Sequence, residues 1–380
     1  MRRWRSVYTF LALIIVLLLV LSGCRGQARA ESWPGLIAVD GTIYAADVSR
    51  VVALDSETGN PRWFWFPGER EDSRVGFYAT PVLDEERNLL LVAGFRNQTV
   101  YALKLGEGPL DTPTLVWSFP GAAAAEGARG QYVSNGTLAG DLFFIGNGDG
   151  YVYALDVADG SLVWSFPTGD RVWSTPLVVD DAVYVGSLDG NLYALDTQTG
   201  RELWRQESRG AIAMSPVLIN GNIWYGDFGD QLYEVDPESG QVLWSYEGEN
   251  WFWATPVVQE NVLYFADVQG KVLALNANSH QILWEAQEEA IFRGQGVLSP
   301  DGSMLLLPGY ERGLVHAFET ETGDEIPWGE VSDEARRLPS SLTLQDERLL
   351  AMPILTDARV LAFDLDRETL LWQYPSPEGE

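Results

Sequence analysis

Few residues in this chain of 380 have side chains that could carry chemistry, and their types and spacing restrict what that chemistry could be. There are two histidines, His280 and His316. One falls where a turn is expected and the other in a strand, in different phases of a repeat, so they do not read as a metal pair. Asn147-Gly148-Asp149-Gly150 has part of the look of a calcium loop. In that register, however, the first ligand would be Ile145, the twelfth would be Asp156, and no helix flanks the segment, so it reads as a hairpin turn. For the same lack of a helix, Gly146-x-Gly148-x-Gly150 is no dinucleotide fingerprint. The chain has no Gly-x-Ser-x-Gly, and its Asp and Glu recur largely in phase with turns, where Asp bonds its own backbone. No catalytic residue, cofactor site or metal site is therefore expected. Tyr78, Trp173 and Trp253 each stand three residues before a proline or its equivalent. As a recurring aromatic feature, they are the candidate lining of one mouth of a central channel.

The repeat that carries those aromatics organises the whole chain. Trp164, Trp204, Trp244 and Trp284 are forty residues apart. Extending the phase gives eight copies, closing on Trp63, Trp117, Trp164, Trp204, Trp244, Trp284, Trp328 and Trp372. A typical unit has a short apolar run after Thr-Pro or Ser-Pro, a polar turn, a second run such as Val183–Gly186 and a tight turn. A third run such as Leu192–Leu195 and an Asp-x-x-Thr-Gly turn lead to a fourth run ending on Trp. Short runs rich in Val, Leu, Tyr and Trp between Gly and Asp turns are strands, and four per forty residues make one propeller blade. The expected fold is all-β: an eight-bladed β-propeller of four-stranded antiparallel blades over residues 33–380. Blades 1 and 8 should meet as complete sheets, because no orphan strand precedes Trp33 and the last unit holds its own fourth strand at 370–374. Residues 106–114 enlarge one hairpin of blade 2, and longer connections at 68–74, 120–130 and 329–337 would project from a single face, where binding surfaces collect.

The N-terminus has a different composition. Arg2, Arg3 and Arg5 precede a twelve-residue apolar run, Phe10–Leu21, which is short for a membrane span and suits a secretory signal. Leu21-Ser22-Gly23-Cys24 resembles the bacterial lipobox, and Cys24 is the only cysteine. That resemblance implies a signal peptide over 1–23, lipidation of Cys24 and a polar tether over 24–32. Arg25, standing where an inner-membrane retention signal has Asp, implies the outer membrane where one exists. The anchor would hold the protein on the outer face of the cytoplasmic membrane or in the outer membrane facing the periplasm. The net charge is −29 and lysine occurs only at 104 and 271. No basic stripe is present to neutralise phosphates, so nucleic acid is not an expected partner.

Ala194-Leu-Asp196-x-x-Thr199-Gly200-x-x-x-Trp204 and Ala53-Leu-Asp55-x-x-Thr58-Gly59-x-x-x-Trp63 resemble the pyrroloquinoline-quinone (PQQ) type propeller repeat. Ala154, Asp156, Gly160 and Trp164 keep most of the pattern, and 235–244 and 362–372 keep less of it. In that family the Trp and Gly are a docking motif, in which the indole packs on the neighbouring blade and its N–H finds a carbonyl. A lipoprotein made only of such blades is similar to the BamB family, whose members are non-catalytic scaffolds of outer-membrane β-barrel assembly. The resemblance implies an envelope protein partner, with the chain a monomer inside a larger assembly. The enzymatic branch, the quinoprotein dehydrogenases, uses PQQ with Ca²⁺ and usually a vicinal disulfide. It is the alternative reading, together with small-ligand binding at the aromatic mouth, and the missing cysteine pair speaks against it.

Overall fold

The structure, a computed structural model, describes residues 35–46, 50–68, 76–120, 130–310, 315–328, 338, 340–353 and 360–375. The expectations for the signal segment 1–23, for Cys24 and for the tether lie outside these residues, as do most of the three long connections. The body from Trp33 onward is an eight-bladed β-propeller whose blades are four-stranded antiparallel sheets.

Strands β1–β32 run in chain order, four to a blade, from β1 (Leu36–Val39) to β32 (Thr369–Tyr374). In every sheet the four strands are sequence neighbours, blades 1 (β1–β4) and 8 (β29–β32) included, so the ring closes without exchanging a strand. Blade 4 serves as the reference. Its strands are β13 (Leu177–Val179), β14 (Ala182–Gly186), β15 (Asn191–Asp196) and β16 (Glu202–Glu207). Asp180 takes a left-handed φ of 50° in the first turn and Gly190 one of 86° in the second, as tight hairpins require. The last turn is held by Asp196, whose Oδ1 accepts from the N–H groups of Gln198 and Thr199 and from the Thr199 hydroxyl.

Both faces of the inner strands are buried: Leu192, Tyr193, Ala194 and Leu195 are all at most 3% exposed. The apolar core is accordingly a series of slabs between neighbouring sheets. Tyr184, Leu192 and Ala194 of blade 4 meet Ile212, Ile223, Tyr225 and Val235 of blade 5 in one such slab. Leu350, Val360 and Ala362 meet Leu36, Ile43 and Val52 in the slab that joins the last blade to the first. Blades pack face to face, and this removes the exposed faces that isolated sheets would present to water.

Candidate functional site

Two sets of residues were singled out from the sequence, and both have a defined geometry. The first is the late tryptophans. In seven blades the register between the third and fourth strands slips by one residue, between Ala194 and Leu195 in blade 4. This bulge leaves Ala194 opposite Trp204, and the small side chain makes room for an indole that leans toward the next blade. Trp117 donates its Nε1–H to the Val157 carbonyl (2.7 Å), Trp164 to Thr197 (2.8 Å), Trp204 to Pro237 (2.9 Å) and Trp284 to Thr320 (2.8 Å). Trp372 donates to Ser56 (3.2 Å), which carries the same contact across the junction of blades 8 and 1. The receiving glycine cannot be replaced freely: a Cβ on Gly200, at φ +66°, would lie 2.5 Å from the Trp164 ring. In blades 3, 4 and 6 an aromatic ring on the second strand completes the nest, as with Tyr184 against Trp204 (5.7 Å) and Tyr264 against Trp284 (5.9 Å).

Three of the eight tryptophans depart from this arrangement. Trp63 packs in the slab between blades 1 and 2 beside Tyr44. Trp244 meets His280 in the place of a glycine; the imidazole, at φ +58°, stacks on the indole at 4.7 Å and 8°. The same ring bonds the carboxylate of Glu234 at 2.6 Å, and Glu234, only 5% exposed, stands where the other blades mostly have Ala. Trp328 lies beyond β28 (Glu325–Ile326), and the residue opposite Ala317 is Ile326. Its ring packs at the edge of the slab between blades 7 and 8.

The second set is the channel mouth. Phe252 is buried in the slab between blades 5 and 6, and one residue on, strand alternation turns Trp253 toward the axis. Tyr78, Trp173 and Trp253 all line a central cavity of about 390 Å³, with Thr80, Asn135, Ser215 and Arg293. Neighbouring blades are tied around it by side chains: Asn135 accepts from the Thr80 N–H, Ser215 from Thr175 and Ser341 from Gln295. Trp173 and Trp253 stack at 6.1 Å and 27°, across the gap left by Ala213 of the blade between them. Tyr78 is apart from that pair and stacks instead on Phe95 (3.9 Å).

Sequence reasoning missed two members of the mouth, Phe228 and Arg293. Phe228 stacks on Trp251 (4.9 Å, 14°) and contacts Trp253 (5.1 Å). The Arg293 guanidinium is held between Trp253 (4.8 Å) and Tyr310 (4.4 Å), a cation–π sandwich. The signal was available: Arg293 follows Trp253 by one forty-residue period, in the position of Ala213 and Trp173. Trp251, 48% exposed, extends the aromatic cluster outward. Among the described residues the cavity lining contains no carboxylate. PQQ with Ca²⁺ needs acidic ligands and a carboxylate base, so these residues do not fit that cofactor.

The profile of the outer membrane protein assembly factor BamB matches residues 96–222 and 210–379. Among solved structures, BamB from Moraxella catarrhalis superposes with a TM-score of 0.68 at 19% identity, over 84% of this chain and 92% of that one. Quinohemoprotein alcohol dehydrogenase ADHIIG from Pseudomonas putida HK5 superposes with a TM-score of 0.62 at 14% identity, over 84% of this chain and 69% of the enzyme. At such identities the likeness concerns the fold. Among curated proteins, serine/threonine-protein kinase AfsK of Streptomyces griseus is 30% identical over 155 residues, 40% of this chain. The match spans only 17% of the length of that kinase.

Proposed function

Because the chain belongs to the family of the outer membrane protein assembly factor BamB, we propose that it is a non-catalytic scaffold, lipid-anchored in the cell envelope, that docks a protein partner in outer-membrane protein assembly. The observation that carries this reading is the chemistry of the mouth. It offers stacked aromatics and one sandwiched cation, with an exposed indole at its edge and no described carboxylate in its lining. Aromatic rings and arginine are enriched where proteins bind proteins, whereas oxidation on a quinone requires a base and a metal cage.

The membrane side of the proposal rests on the lipobox-like Leu21-Ser22-Gly23-Cys24. One acyl chain anchors only marginally, so stable retention requires several on the same cysteine. The tether of 24–32 would let the ring work close to the membrane surface without entering it.

Crosslinking in intact cells followed by purification of the full chain tests both parts. An envelope protein should be recovered with the parent chain, and recovery should fall several-fold with Trp251→Ala, which alters exposed surface. Recovery of no envelope protein, together with unchanged outer-membrane protein levels when the gene is deleted, would remove the scaffold reading. PQQ and Ca²⁺ added to the purified protein should leave its visible spectrum that of the free quinone. Dye-linked alcohol oxidation that depends on the added quinone would favour the dehydrogenase branch instead.

A further inference from the structure

A histidine and two glutamates meet where blade 6 runs into blade 7. His316, on β27 (Val315–Glu319), stands where blades 2 to 5 have Tyr101, Tyr153, Tyr193 and Tyr233. In blades 3 and 4 that tyrosine hydroxyl bonds an aspartate of the preceding turn, Asp149 at 2.8 Å and Asp189 at 2.7 Å. Glu288 follows β24 (Gln281–Gln287) of blade 6, at the position of Thr168, Ser208 and Gly248. Glu325 begins β28, opposite Phe318. Residues two apart on a strand share a face, so Glu325 lies diagonally beside His316.

One ligand atom from each of Glu288, His316 and Glu325 lies within 4.8 Å of the others. His316 Nδ1 and a Glu288 carboxylate oxygen are already 3.6 Å apart. Four tetrahedral ligands about 2.0–2.1 Å from a zinc ion stand roughly 3.3 Å from one another. The buried His316 and the half-buried Glu288 are thus close to a zinc edge, and the exposed Glu325 side chain has room to close the third.

The burial of the histidine is an independent indication. His316 is 9% exposed, its ring held edge-on by Phe292 at 5.3 Å. The polar contact of its imidazole among the described residues is the 3.6 Å approach to Glu288. Neither carboxylate has a lysine or arginine partner among the described residues. Burial, and then the charge of Glu325, raises the Glu288 pKa, while burial lowers that of His316. Two carboxylates and an imidazole facing one point, with no lysine or arginine between them among the described residues, make a donor set that suits a divalent ion.

We propose that Glu288, His316 and Glu325 bind one divalent transition-metal ion, with Zn²⁺ the best match to a nitrogen and two carboxylate oxygens, and that the ion clamps blade 6 to blade 7. A three-ligand set leaves a fourth position for water or for a group from a partner.

The test is titration of ZnCl₂ into the metal-free full chain carrying Cys24→Ser, which removes the one thiol. Calorimetry should give one saturable site per chain, and the melting temperature should rise with zinc concentration, because an ion that binds only the folded state stabilises it. His316→Tyr installs the residue of the matching blades and so preserves packing; it should weaken zinc binding by about tenfold or more. Glu288→Gln should do the same, and His280→Gly, at the other histidine, should leave binding unchanged. The assignment is overturned by the absence of a saturable site, by retention of the site in His316→Tyr, or by its loss in His280→Gly alone.

Discussion

At the scale of single residues, the docking indole sets the energetics. Trp204 combines a half-buried ring, a donated hydrogen bond to Pro237 and a contact with Tyr184. Trp204→Ala is expected to cost about 3–5 kcal/mol, read from urea unfolding. The junction of blades 5 and 6 offers a sharper test. There His280 and Glu234 replace the usual Gly and Ala together, joined by a 2.6 Å contact. His280→Gly leaves one oxygen of the buried Glu234 carboxylate without its partner, the other keeping the Asn222 amide, and should cost about 1–3 kcal/mol. Glu234→Ala with His280→Gly restores the pattern of blade 4 and should recover most of that loss. A double-mutant cycle with no coupling would contradict the account. The sequence placed His280 at a turn correctly but could not display this pairing, because its partner lies 46 residues away on another blade.

Among elements, the most regular is the turn before each fourth strand, and its aspartates respond to acid. The Arg62 hydrogen bond, then that of Thr58, draws the Asp55 pKa down to about 2. Hydrogen bonds from Thr199 and Ser239 lower those of Asp196 and Asp236. A carboxyl group whose pKa is lower in the folded than in the unfolded chain stabilises the fold above its unfolded pKa, and that contribution is lost as pH falls through the folded pKa. Stability should therefore drop between about pH 4 and pH 2, and Asp55→Asn should flatten the drop in a pH series of melting curves. These turns were legible because side chain and backbone bond within a few residues, so the motif carries its own geometry. The fourth strand of blade 7 was less so. Gly200 precedes Trp204 by four residues and Gly323 precedes Trp328 by five. That extra residue accompanies a two-residue strand with Ile326 opposite Ala317. The spacing was visible, but its effect on register was not.

Taken whole, the chain carries a net charge of −29. Like charges on one compact body repel, and salt screens them within a Debye length of about 8–10 Å near physiological strength. Raising NaCl from about 10 mM to about 200 mM should lift the melting temperature; a fall would mean that specific ion pairs outweigh the net repulsion. Blade number and the closure of blades 1 and 8 were readable because eight phased tryptophans leave no strand unassigned. The mouth was only half readable. The repeat shows which position faces the axis, but Trp173 meets Trp253 only because Ala213 stands between them, and that follows from curvature rather than from order along the chain. One more consequence comes from the whole-strand join between the last blade and the first, where Trp372 reaches Ser56. Every wedge is cut from one uninterrupted length of polypeptide, so no wedge is privileged as the start. A circularly permuted gene, with the old ends bridged by a flexible linker and new ends opened between Glu207 and Ser208, should still yield the same ring.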